Sequence, residues 1–398
     1  MKIIDHPPVH LTYCLNVHPG EAWSENLAAI RRYATKVRSR VAPATPFGLG
    51  LRLGKTAAEQ LAEPVQMRRF RHFLAENNMY VFTVNGFPYG EFHKGEVKTS
   101  VYRPDWRAAA RLAYTKLLCT ILGRLLPPGV DGSVSTVPVS YRGWIETDAQ
   151  RRQAVENLAA AALHAEKISL ECNRDLHLGL EPEPDCCLET TADVIAFFEN
   201  ELLPRGSAFL ETVGLTAKEA GQLLRRRLGV CFDACHLAVQ FEDLPDSLNR
   251  LRAVGIRLSK VQVSAALRCS NHGAARRRLR EFCDPVYLHQ VKAKNASGRI
   301  EPLGDLEPAL NAGSRDRQEW RVHCHIPLFY QGDRELGTTA EFLTPDFFAA
   351  AIAAGAAHFE IETYTFNVLP DTLRSQNIVE SLVGEYQWLL PRLNHEKA

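Results

Sequence analysis

The feature that most limits what this chain can fold into is an eightfold alternation: a short apolar or alternating run, then a stretch of helical periodicity, repeated along the sequence. The runs are "HLTYCLNV" (10–17), "FGLGLRL" (47–53), "MYVFTVNGF" (79–87), "GSVSTVPVSY" (132–141), "HLGLEPEP" (177–184), "LGVCFDAC" (228–235), "IRLSKVQVSAA" (256–266) and "AHFEIETYTF" (357–366). Helical patterns such as "MRRFRHFLAENN" and "DAQRRQAVENLAAAALHAEK" separate them. Parallel strands need such crossovers, so the pattern predicts a parallel sheet. Eight units predict an α/β chain closed as a (β/α)8 TIM barrel. An open doubly wound sheet would carry a Gly-rich phosphate turn after an early strand, and no GxGxxG is present there.

With 398 residues the chain exceeds the roughly 250 typical of such a barrel. The surplus falls in the third and fifth strand–helix connections and in 267–319. We read 1–398 as one domain with enlarged strand–helix loops and an irregular insertion near 267–319.

Composition narrows the function classes. Hydrophobic residues make up 45% and charged residues 23%, as in soluble globular chains. A net charge of +1 lacks the basic excess of a nucleic-acid binder, so nucleic acid is not an expected partner. The most apolar long stretch, "LAYTKLLCTILGRLLPPGV", is interrupted by Lys116 and Arg124 and reads as a soluble helix, not a membrane span. The start has the pattern of no secretory signal, and ten cysteines form no small-domain framework. A cytoplasmic protein with reduced thiols is expected.

In a barrel of this kind, side chains at the carboxyl ends of the strands face the active-site mouth. Those ends are rich in metal-capable groups. The fifth run ends in Glu181 and Glu183, and the sixth in Asp233 followed by His236. The seventh ends in Gln262 and Ser264, and the eighth in Glu360 and Glu362. "RVHCHIP" brings His323 and His325 just before the eighth; His18 and His93 follow the first and third runs.

Each has a structural reading of its own. Asp-x-x-His caps helices, His-x-His arises on half-exposed strands, and Glu-Pro-Glu-Pro can be a plain strand exit. The arginine triplets Arg225–Arg227 and Arg276–Arg278 read as solvated helix faces. Cys231, Cys235, Cys186 and Cys187 match no zinc-ribbon spacing and read as core thiols. Together, though, the carboxylates and imidazoles end strands that converge on one cleft. Mixed O/N ligation suits a divalent Mn, Zn, Mg or Co ion.

This pattern resembles the xylose isomerase-like TIM barrel superfamily, which includes sugar isomerases, ketose 3-epimerases, inosose dehydratases and the endonuclease IV type of phosphodiesterase. The segments "HLTYCLNVHPGE", "VNGFPYGEFH", "VYRPDW", "LGLEPEP", "FDACHLAV", "HCHIPLF" and "IETYTF" are similar to the EboE-type metabolite traffic proteins of bacterial gene clusters. The resemblance implies metal ligands at Glu181, Asp233, His236 and Glu362. His323 and His325 stand where endonuclease-type members have Asp-x-His, and Gln262 where many members have a histidine.

It also implies Glu181 and Glu362 as the acid–base pair of a sugar or polyol isomerase or epimerase working in metabolite processing or traffic. The expected partners are a sugar, polyol or related metabolite and proteins of the same gene cluster. The other readings are a metal-dependent phosphodiesterase, with His18 and His93 adding ligands, and a non-catalytic metabolite-binding barrel.

Overall fold

In the computed structural model, which describes residues 1–93, 95–312, 318–370, 373–374 and 377–393, two sheets carry the architecture. An edge strand β1 (Lys2–Ile4) lies antiparallel to β2 (Val9–Tyr13). The barrel then continues through β3 (Phe47–Arg52), β4 (Met79–Asn85), β5 (Gly132–Thr136), β6 (Leu176–Leu180), β7 (Leu228–Asp233) and β8 (Arg257–Val263). A second sheet follows, made of β9 (Leu267–Ser270), β10 (Gln290–Lys294), β11 (Ile300–Asp305), β12 (Glu319–Val322) and β13 (Gly337–Thr338). The last strand, β14 (His358–Ile361), returns to the barrel.

Strand order in the first sheet is β1-β2-β14-β8-β7-β6-β5-β4-β3, with every pair from β2 onward parallel. A parallel bridge between Cys14 and Gly50, just past β2 and within β3, joins the two ends. Eight parallel strands with helical crossovers therefore close on themselves, and the chain is a (β/α)8 barrel. Each of the eight apolar runs contains one of them.

Alternation along each strand sorts the side chains. On β2, Val9, Leu11 and Tyr13 are buried among the hydrophobic core, while His10 and Thr12 point into the barrel. The barrel interior is polar. His10 Nδ1 lies 2.7 Å from the Tyr80 hydroxyl, and His358 Nδ1 lies 2.9 Å from Ser133 Oγ. Ser133 donates to Thr83 at 2.8 Å. Two glycines make room: a Cβ on Gly50 would stand 2.0 Å from Glu360 Oε1, and one on Gly179 would stand 2.8 Å from the Cys231 nitrogen.

The insertion is not irregular, as the sequence led us to expect. Its strands form an antiparallel sheet in the order β11-β10-β12-β9-β13; residues 313–317 lie outside the described residues. The strands are short and polar, so they lack the apolar run that marks a barrel strand. On each of three strands two residues alternate into the core: Leu267 and Cys269 on β9, Val291 and Ala293 on β10, and Trp320 and Val322 on β12. Lys292 on β10 pairs with Asp185, and Gln290 donates to the Pro184 carbonyl at 3.0 Å, which ties this sheet to the loop after β6.

The triplet Arg225–Arg227 also departs from a uniformly solvated face. Arg227 is buried and pairs with Glu166 and Asp175. No helix among the described residues is long and apolar enough to cross a membrane.

Candidate metal and acid–base centre

β6 leaves the barrel through Glu181-Pro182-Glu183-Pro184, where two prolines end the ladder. The Glu181 N–H still donates to the Thr136 carbonyl, and Glu183 N–H donates to Leu188. β7 ends on Asp233, which caps the helix Ala234–Val239 by accepting from His236 N–H at 2.9 Å. The capping reading of Asp-x-x-His is thus true, and it serves the cleft: the one-turn helix swings His236 Nε2 to 3.8 Å from Asp233 Oδ1. Ser264 at the end of β8 donates to the same Oδ1 at 2.8 Å.

Three imidazoles converge. His323 and His325 follow β12 in extended chain, not within a strand. Each of the three rings has its Nδ1 beside an oxygen acceptor: His236 on the Pro182 carbonyl at 2.8 Å, His323 on Gln290 Oε1 at 2.7 Å, and His325 on the Glu362 carbonyl at 2.7 Å. In the neutral ring, donation from Nδ1 leaves Nε2 as a lone pair. Those lone pairs meet, with His323 Nε2 3.2 Å and His236 Nε2 3.4 Å from His325 Nε2.

Facing lone pairs repel, so a positive charge belongs between them. A tetrahedral ion with bonds of 2.0–2.1 Å has ligand–ligand edges of about 3.3–3.4 Å, which this spacing matches. Burial pushes His236 and His323 down. Burial also works against a charged His325, yet Cys235, Glu362 and Asp233 beside it hold it well above the usual range. In the metal-free cleft His325 therefore carries the positive charge, and its Nε2 holds a proton that a bound ion would displace.

Beside the nitrogens lies an oxygen-rich group. One atom of the Gln262 carboxamide reaches Glu181 Oε1 at 2.9 Å and Asp233 Oδ2 at 3.1 Å. As NH2 it donates to both carboxylates. As oxygen, its two spacings lie near the about 3.0 Å ligand–ligand edge of a six-coordinate ion with 2.0–2.1 Å bonds.

Glu362 Oε1 accepts from Asn16 Nδ2 at 2.6 Å. Its Oε2 lies 2.7 Å from His325 Nδ1, whose hydrogen bond goes to the Glu362 carbonyl. Among the described residues, Glu362 Oε2, Glu183 Oε2 and Asn16 Oδ1 are buried without a donor. Three orphaned acceptors beside converging imidazoles fit a cation and a hydroxylated ligand.

The two acidic pairs separate by depth. Glu360 and Glu362 share one strand face, so alternation does not choose between them. Glu360 lies one layer deeper and pairs with the buried Lys260, whereas Glu362 reaches the mouth. Glu181 joins Gln262 and Asp233. Glu183 takes the Tyr102 hydroxyl at 2.8 Å, and burial pushes it up to about 8. Burial, then Glu362 and Asp233, raise Glu181 well above the carboxylate range. Burial would raise Glu362 too, but His325 brings it below its ordinary value.

Sequence reasoning missed several participants. Gln290 holds His323 and donates to the Tyr102 oxygen at 3.0 Å, so the second sheet braces the cleft. Cys235, read as a core thiol, brings its sulfur within 4.8 Å of ligand atoms of His323 and His325; burial raises that thiol to about 11. Asn16 and Tyr102 carry no motif. The added histidines stand apart from this cluster. His18 bonds the Tyr13 hydroxyl at 3.0 Å and stacks on Tyr33, and His93 bonds the Asn16 carbonyl and the Tyr287 hydroxyl.

Fold and cleft together define a (β/α)8 barrel with a histidine- and carboxylate-lined centre at the carboxyl ends of its strands. No family model matches the chain, and no curated protein matches it. Solved structures align over nearly its whole length. A D-tagatose 3-epimerase-like protein has 11% identity over 98% of this chain and 100% of its own, with a TM-score of 0.49. An IOLI protein with a binding zinc atom has 10% identity over 97% and 98%, with a TM-score of 0.48. A D-allulose 3-epimerase from Methylomonas sp., in complex with D-allulose, has 12% identity over 96% of each chain and a TM-score of 0.47. The barrel assignment rests on the strand order alone.

Proposed function

We propose that this chain is a divalent-metal-dependent isomerase or epimerase acting on a small hydroxylated carbonyl compound of the sugar or polyol class. The observation that carries the reading is the meeting of three Nε2 atoms at 3.2 and 3.4 Å beside carboxylates of diverging proton affinity. His236, His323, His325 and Asp233 would hold an ion of the Mn, Zn, Mg or Co group. Glu181, Gln262 and Glu362 would supply an oxygen-rich flank. When bound, the ion polarises a carbonyl and stabilises charge on the adjacent oxygen.

The residues divide the proton work. Glu362, ionised, removes the proton next to the carbonyl, and Glu181, protonated, returns one; paired carboxylates pushed apart in this way serve as base and acid. Asn16 orients Glu362 through its 2.6 Å bond. The similarity to EboE-type proteins extends the reading to metabolite processing or traffic within a gene cluster.

The test is metal content of the purified, reloaded protein, followed by proton exchange. About one equivalent, lost in His236→Ala and His325→Ala, is expected. The loaded protein should wash a carbon-bound proton of a ketose or α-hydroxyketone into deuterated solvent, and Glu362→Gln should not. A folded protein that takes up no metal overturns the reading. A second reading, phosphodiester chemistry, is favoured by one observation: Glu183 joins His236 and His323 in another ligand group, which shares both histidines with the first. Two or more ions, with cleavage of a phosphodiester and no exchange, would decide for it.

A further inference from the structure

The cleft has a second half that this chemistry does not use. Its cavity, about 50 Å³ of water-accessible space, runs from Glu181, His236 and Glu362 outward between Phe87, Phe92, Val97 and Leu288. Phe92, Val97, Tyr287 and Tyr364 form a small apolar cluster separate from the main core. Three loops contribute to it: the β4 loop, the chain before β10 and the segment after β14. The rings lean on one another at 5.0–5.3 Å, and Tyr364 continues onto His325 at 4.7 Å. The cluster packs the loops and the short 3-10 turns Lys98–Tyr102 and Tyr364–Asn367 against one another, and its cavity side forms a wall.

Of the polar side chains in this outer half, Lys98, Tyr287 and Tyr102 are already engaged, and the Tyr364 hydroxyl is left open to the cavity. Lys98 is the one cation among the described lining residues. It spends its three protons on the Asp284 carbonyl, the Tyr287 carbonyl and Asp305 Oδ2. The Tyr287 hydroxyl bonds His93, and the Tyr102 hydroxyl bonds Glu183. The orphaned acceptors Asn16 Oδ1, Glu183 Oε2 and Glu362 Oε2 all sit at the inner end. The cavity therefore wants hydrogen-bond donors at its floor and apolar surface at its mouth. A free hexose, hydroxylated all round, would bury most of its outer hydroxyls against Phe87, Phe92, Val97 and Leu288, which return no hydrogen bond.

We infer that the ligand of this cleft is amphipathic: a short hydroxylated head that meets the metal and acid–base residues, carrying an aryl or alkyl body that lies against Phe92, Val97 and Leu288. This rests on the metal-dependent reading above and narrows its substrate class. Apolar burial supplies the affinity and the few inner polar groups fix the orientation.

The test uses three probes with one chelating head and different tails, titrated into the metal-loaded full chain whose metal content is measured before and after: acetohydroxamate, gluconohydroxamate and phenylacetohydroxamate. Phenylacetohydroxamate should bind at least tenfold tighter than gluconohydroxamate. Leu288→Gln, at a half-exposed wall position, should shrink that preference to under threefold and leave acetohydroxamate unchanged; Phe92→Asn should do the same. Equal binding, or tighter gluconohydroxamate, in a chain that holds its metal overturns the amphipathic ligand while the metal-dependent reading stands. A chain without metal overturns both, and the metal measurement tells the two failures apart.

Discussion

Lys260 and Glu360 form an ion pair in the centre of the barrel, and neither side chain is exposed. Both lie one layer beneath the cleft, two positions before Gln262 and Glu362 on neighbouring strands. Glu360 occupies the space that Gly50 leaves by having no Cβ. A buried pair is costly to break because the survivor keeps its charge without water or partner. Lys260→Met should destabilise the protein by about 3–5 kcal/mol in urea unfolding. The double change Lys260→Met with Glu360→Leu should lose less than the single one, since no lone charge remains.

The brace on His323 is a separate matter from its presence. Gln290 Oε1 accepts from His323 Nδ1 and so fixes which nitrogen faces the cleft. Removing such a partner typically costs 10–100-fold in metal affinity. Gln290→Leu should weaken zinc binding within that range in a competition titration while the far-ultraviolet spectrum stays unchanged. Gln290→Glu, which restores an acceptor, should recover most of the loss.

Glu385, on the helix Ile378–Leu393, accepts from Thr363 Oγ1 at 2.6 Å and from Leu328 N–H at 3.2 Å. Burial nevertheless raises it from 4.5 to about 7. A carboxyl whose folded pKa lies above its unfolded one binds its proton more tightly in the fold. Its stabilising contribution is complete below about pH 4.5 and is lost as pH rises through 7. Glu385→Gln stays uncharged, so its stability relative to the parent should grow across pH 5–8 and level off above, with a gain of at most about 3 kcal/mol. Denaturant midpoints at pH 4.5, 6 and 8 check this; a flat difference rejects it.

We propose that barrel and second sheet unfold together as one domain. Lys98–Asp305, Lys292–Asp185 and the Gln290 bonds join them through buried or half-buried groups. Thermal unfolding followed by near- and far-ultraviolet dichroism should give one coincident transition. Two separated transitions would divide the chain.

The barrel was legible because its strands are apolar runs separated by helical patterns, a signal that survives without knowing what packs on what. Glu181, Asp233, His236 and Glu362 were legible because strand ends have a fixed destination in such a fold. The second sheet was not, since its strands are short and its burial comes from docking on the loop after β6. Gln290 and Asn16 were invisible for a related reason. Their role is a hydrogen bond to a residue 33 or 346 positions away, and nothing local in the chain announces it. The choice between Glu360 and Glu362 needed depth, which alternation does not encode.

Closure of the barrel places β14 directly against β2, and the bond from Asn16 to Glu362 crosses that seam. On a ribosome, the first barrel strand would meet β1 and β3 early and then wait through the synthesis of almost everything else before β14 existed. A product stalled before β14 would own His236, His323, His325 and Asp233 yet lack Glu362, so its metal ligands precede its base. Folding is slow and long-range, with two strand edges open until the end.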